Sequence, residues 1–105
     1  MQVEARRREL TELFERLEAI LREEGASNWL PGVTAALDHL RAADAGDSPQ
    51  SAVEAVASIY RTMNGGYGSF ADFVIWRSDF EERREANQRL DGIKSRIWDV
   101  LMTSA

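Results

Sequence analysis

Gly65-Gly66-Tyr67-Gly68-Ser69 is the stretch of this 105-residue chain whose residue types and spacing come nearest to chemistry. Closely spaced glycines leave backbone N–H groups unobstructed. Where such a loop runs into a helix N-terminus, those groups and the helix dipole converge on an anion. Read this way, Gly65, Gly66, Gly68 and Ser69 would cradle a phosphate or a carboxylate. The stretch lacks the lysine of a P-loop and follows a helical pattern instead of a strand, so a sharp chain reversal also accounts for its glycines. Tyr67 stands at the loop tip, where a tyrosine either anchors a protein interface through its large rigid ring or packs back onto the body of the protein.

Other reactive residue types have plainer explanations. His39, the single histidine, lies beside Asp38, but no Glu-x-x-His pair accompanies it, so a helical surface histidine is the expectation and no metal site is assigned. Asp72 and Asp79 each stand where a helix cap belongs, and Arg6-Arg7-Arg8 is interleaved with Glu4, Glu9 and Glu12 as on a solvated helix face. The absence of cysteine removes disulfides, thiolate chemistry and thiolate-bound zinc. No spacing singles out a nucleophile, a general base and an oxyanion site together, so the expectation is a protein that is neither an enzyme nor cofactor-dependent.

The net charge of −5 disfavours nucleic acid, which requires clustered unpaired bases, and suits a basic or neutral protein partner. The acidity is local. Between Gly25 and Tyr60 only Arg41 opposes Asp38, Asp44, Asp47 and Glu54, whereas from Arg61 onward acids and bases balance. Asp38, Asp44, Asp47, Glu54 and Tyr67 are therefore the expected partner-binding residues, with Asp44 and Asp47 in an exposed turn whose charges are separable from stability. No apolar run approaches a membrane span and no export signal precedes the first amphipathic stretch, so a cytoplasmic location is expected.

The elements that must position these residues are helical. Leu10, Leu13, Phe14, Leu17, Ile20 and Leu21 recur at steps of three and four, and Gly25 supplies a stop. Trp29, Leu30, Val33, Leu37 and Leu40 predict a second helix from about Asn28 to Ala43, capped by Ser27 or Asn28, with Pro31 in its first turn. Ser48 and Pro49 read as cap and first position of a third helix whose stripe is Val53, Val56, Tyr60 and Met63, ended by Asn64-Gly65. Ser69-Phe70-Ala71-Asp72 has capping-box spacing and predicts a short helix, with core anchors among Phe70, Phe73 and Trp76. A short strand over 73–76 is the alternative, but it lacks a pairing partner. Asp79 caps a last long helix with Ala86, Leu90, Ile93, Ile97, Val100 and Leu101 on its stripe. Four longer helices and one short one, each with one apolar stripe, predict a single all-α bundle over 1–105 in which the first and last helices pack together.

The segment from Ile59 to Leu101, with Gly65-Gly66-x-Gly68-Ser69-Phe70-x-Asp72 at its centre and Asn87-x-Arg89-Leu90-Asp91 later, resembles an uncharacterised family of small bacterial proteins. In size, acidity and lack of cysteine the chain is also similar to the immunity proteins that neutralise interbacterial toxins. That similarity implies an inhibitor that covers a toxin's active site; the alternative is a module binding a phosphate or carboxylate ligand at Gly65 to Ser69.

Overall fold

In the computed structural model, which describes residues 2–65 and 69–102, four helices make an all-α bundle and no strand forms among the described residues. They are α1 (Gln2–Glu24), α2 (Leu30–Ala42), α3 (Pro49–Met63) and α4 (Phe80–Met102). Leu10, Leu13, Phe14, Leu17 and Leu21 form the buried stripe of α1, with Ile20 half-buried at its margin. Helix α2 packs against both α1 and α3, and α4 lies along α1, so the apolar face of α1 meets all three other helices. The molecule measures 45 × 24 × 22 Å. No helix is long and apolar enough to cross a membrane.

The ends of the helices follow local chemistry. At the end of α1, Gly25 takes φ 68°, the Ala26 N–H donates to the Leu21 carbonyl at 2.9 Å and the Gly25 N–H to that of Arg22 at 3.2 Å. This paired closure needs a left-handed residue, which glycine adopts without a Cβ clash. Ser48 caps α3 by accepting from the Ser51 N–H at 3.3 Å, and Asp79 caps α4 by accepting from the Glu82 N–H at 2.9 Å. Both match the expectation.

Helix α2 does not. Neither Ser27 nor Asn28 caps it: Trp29 occupies the cap position with no side-chain bond, because the chain leaving Gly25 turns back on itself through Ser27 N–H to Gly25 O and Trp29 N–H to Ala26 O. The Trp29 indole packs instead against Phe70, ring centres 5.7 Å apart.

The short helix expected after the glycine loop is one 3-10 turn, Phe70–Asp72, followed by non-helical chain up to α4. Ser69 makes no side-chain capping bond, so the capping box does not close. Of the expected anchors, Phe70 is fully buried, Phe73 is half-buried and Trp76 is 71% exposed, whereas Ile75 is buried. An extended backbone explains the split, since successive side chains of 73–76 point to opposite sides.

Phe70 is held by a ring cluster. Tyr60 packs edge-on to both Phe14 and Phe70, with centroids 5.9 and 6.1 Å away, and its hydroxyl donates to the Lys94 carbonyl at 3.3 Å. Burial pushes that hydroxyl up to about 12, so it stays protonated. Phe70→Ala should lower stability by about 3–5 kcal/mol. Gly92, exposed inside α4 where an added Cβ would meet nothing within 4 Å, should behave oppositely. Gly92→Ala is expected to gain about 1 kcal/mol from helix propensity. Urea midpoints of the two variants check both signs.

Candidate functional site

Between the 3-10 turn and α4 the chain is fastened at three points. The Lys94 ammonium donates to the Phe70 carbonyl at 2.9 Å and lies 4.7 Å from the Phe70 ring centre. Half-burial lowers the affinity of that amine for its proton, opposed by the charges of Asp91 and Asp72. Second, the Asn87 side chain clasps Ile75 from both sides: its amide oxygen accepts from the Ile75 N–H and its amide nitrogen donates to the Ile75 carbonyl, each at 2.8 Å. The same nitrogen donates to the Arg83 carbonyl of α4 at 2.8 Å. One carboxamide thus supplies what a neighbouring strand would have supplied, which is how an unpaired extended segment is tolerated. Third, Arg77 grips Glu24 at the end of α1 through both guanidinium branches, one of them at 2.6 Å.

With Ile75 drawn inward by this clasp, its neighbours are turned out. Val74, Trp76 and Phe80 are 69%, 71% and 62% exposed. The Arg83 guanidinium carbon lies 4.3 Å from the centre of the Trp76 ring and 5.6 Å from that of Phe80, a cation–π arrangement that restrains both rings. Glu23, Glu82 and Glu85 line the adjacent hollow with Ile75 and Arg77. The result is an exposed aromatic patch with an arginine beside it. These are the residue types that carry binding energy at protein interfaces.

The residues singled out from sequence are not gathered into one surface. Asp38, Asp44 and Asp47 are exposed around the turn joining α2 to α3, and Glu54 stands on α3, where it accepts from the Gln50 amide at 3.3 Å. Gly65 and Ser69 lie beyond the other end of α3, roughly 24 Å of helical rise from Asp47. Gly65 does not have positive φ, and an added Cβ there would only touch the Arg61 and Thr62 carbonyls at 3.6 and 3.7 Å. Gly66, Tyr67 and Gly68 lie outside the described residues. The Ser69 hydroxyl is buried without a hydrogen-bond partner among the described residues. The turn that follows Ser69 is three residues long, too short to supply a helix dipole.

Asp44 corrects the idea of a dispensable turn. It belongs to a 3-10 turn, Ala43–Ala45, and approaches the Arg7 guanidinium at 2.9 Å. Arg7 is 5% exposed, bonded on its other side to Glu4 and donating to the Leu40 carbonyl at the end of α2 at 3.2 Å. Asp44 therefore helps neutralise a buried charge that ties α1 to α2. Sequence reasoning missed the roles of Trp76, Phe80 and Arg83 because every residue of 73–76 is apolar, which hides the period of two. Among the described residues, no three His, Cys, Asp or Glu side chains converge as a metal site. No known family description, curated protein or solved structure matches the chain.

Two outcomes follow for stability. Asp44→Lys should lower the melting temperature by several degrees, about 1 kcal/mol or more, because it places a like charge beside buried Arg7, whereas Asp47→Lys should leave it nearly unchanged. The second concerns acid. Glu24 and Glu9 are held below the ordinary value of 4.5, chiefly by hydrogen bonds from Arg77 and Arg96 respectively. Their contribution is complete above pH 4.5 and is lost as pH falls through the depressed folded values. Urea midpoints measured downward from pH 7 should show a shallower loss below pH 4.5 in Glu24→Gln than in the unaltered protein.

Proposed function

We propose that this chain is a protein-binding module of immunity type, an inhibitor that neutralises a bacterial toxin by covering its active site. The observation that carries the reading is the exposure of Val74, Trp76 and Phe80 on a segment already fixed by the Asn87 clasp and the Arg77–Glu24 pair. A clustered apolar patch left in water is unfavourable for a monomer, and holding it rigid lowers the entropy lost when a partner covers it. Such a module requires no catalytic group.

The charge distribution supports a basic or neutral partner. Glu23, Glu82 and Glu85 line a hollow beside Ile75 and Arg77, on the segment that carries the patch, and the chain as a whole carries −5. Acidic residues accelerate encounter with a basic cleft, while the buried aromatic centre sets the lifetime of the complex. Asp38, Asp47 and Glu54 are exposed on α2, the turn after it and the first half of α3, outside the patch.

A second reading, a phosphate or carboxylate site at Gly65 to Ser69, draws its support from the Ser69 hydroxyl, buried with no hydrogen-bond partner among the described residues. The two separate experimentally. Tagged protein recovered from its own host should bring a partner whose affinity falls at least about tenfold with Trp76→Ala or Arg83→Ala, with melting temperatures close to the unaltered protein. An affinity insensitive to both variants would reject the patch. Saturable binding of inorganic phosphate, abolished by Ser69→Ala, would favour the second reading.

A further inference from the structure

Away from the aromatic patch, α1 and α4 leave a groove of about 720 Å³ between them, within the range of roughly 300–1,000 Å³ typical of small-molecule sites. Leu13, Ile20 and Ile93 give it an apolar lining, and Gly92 stands in its wall. Glycine is among the least suitable residues inside a long helix, and no contact among the described residues calls for it, since a Cβ there meets nothing within 4 Å. Its lack of a side chain keeps the groove wide.

The charges at the groove restrict what enters. Arg16 and Arg89 face it from opposite helices, and neither has an ion-pair partner among the described residues. Of the two acids lining it, Glu9 is already bonded to Arg96 across the groove, one of those contacts at 2.9 Å, which leaves Glu12 against Arg16 and Arg89, the latter also bordering the hollow that holds Glu82 and Glu85. The lining is therefore net positive on a chain of net charge −5. A second copy would oppose one positive groove with another. A through-running helix is obstructed at one end by the Glu9–Arg96 bridge and toward the other by Glu24–Arg77. From Arg16 to Glu9, where the Glu9–Arg96 bridge closes the groove, the helix rises about 10 Å, the length of a medium alkyl chain.

We propose that this groove binds a small amphipathic carboxylate, its carboxylate held between Arg16 and Arg89 and its apolar body lying along Leu13 and Ile93 past Gly92, toward the Glu9–Arg96 bridge. The groove is distinct from the hollow beside Arg77, although Ile20 and Arg89 line both. Arginine suits the head group because its planar fork bonds a carboxylate through two parallel N–H groups.

Decanoate, titrated calorimetrically below its micellar concentration, should bind one-to-one and saturably. Binding should weaken at least about tenfold in Arg16→Gln/Arg89→Gln, both exposed positions, and should be lost in Gly92→Leu, which narrows the groove. Circular dichroism confirms that each variant is folded; if Gly92→Leu is not, the arginine variant decides. Decyltrimethylammonium, of the same chain length and opposite charge, should not compete. Absence of saturable decanoate binding, binding indifferent to the arginine substitutions, or equal binding of the cation would each overturn the proposal.

Discussion

The apolar face of α1 is the constraint on which the rest of the structure depends. Leu10, Phe14, Leu17 and Leu21 are fully buried there, and α2, α3 and α4 each pack against that helix. Burying a leucine or phenylalanine side chain contributes about 1.5–3 kcal/mol, so this one face supplies a large fraction of what a domain of this size has to spare. Polar ties then set register around it. Arg7 joins the start of α1 to the end of α2 and to Asp44, Arg96 joins α4 to Glu9, and Arg77 joins the segment before α4 to Glu24.

These ties decide what the chain can present. The segment from Phe70 to Arg77 has neither a helix of its own nor a strand beside it, yet its buried backbone groups still require partners. The clasp of Asn87 on Ile75 meets that requirement and simultaneously selects which side chains face inward. Ile75 joins the core, and Val74 and Trp76 are left outside with Phe80 and Arg83. The exposed aromatic patch is thus a by-product of how one short piece of backbone is satisfied. Its rigidity derives from the same three fastenings.

Most of the helical architecture was legible in the sequence because a period of 3.6 is written into α1, α2, α3 and α4 by their own residues, and Gly25, Ser48 and Asp79 end or start helices through contacts a few residues away. The start of α2 was not legible, since Trp29 takes the cap position for the sake of Phe70, far along the chain. The site was hidden for a related reason. Nothing local to Phe73-Val74-Ile75-Trp76 distinguishes its inner from its outer side chains; that information sits in Asn87, twelve residues beyond Ile75. Likewise Asp44 read as a solvated turn residue because its partner, Arg7, lies near the start of α1, far back along the chain. Tyr67, the loop-tip anchor expected from sequence, falls outside the described residues, whereas the aromatic anchors the structure displays follow the loop.

Hydroxyl-radical footprinting, performed on the free protein and again on its complex with the partner recovered from the host, tests the central claim most directly. The account predicts that Trp76 and Phe80 oxidise readily in the free protein and are protected in the complex, while fully buried Phe70 resists oxidation in both. Slow oxidation of Trp76 in the free protein would contradict the outward-facing patch, and unchanged oxidation of Trp76 and Phe80 in the complex would contradict its role in binding.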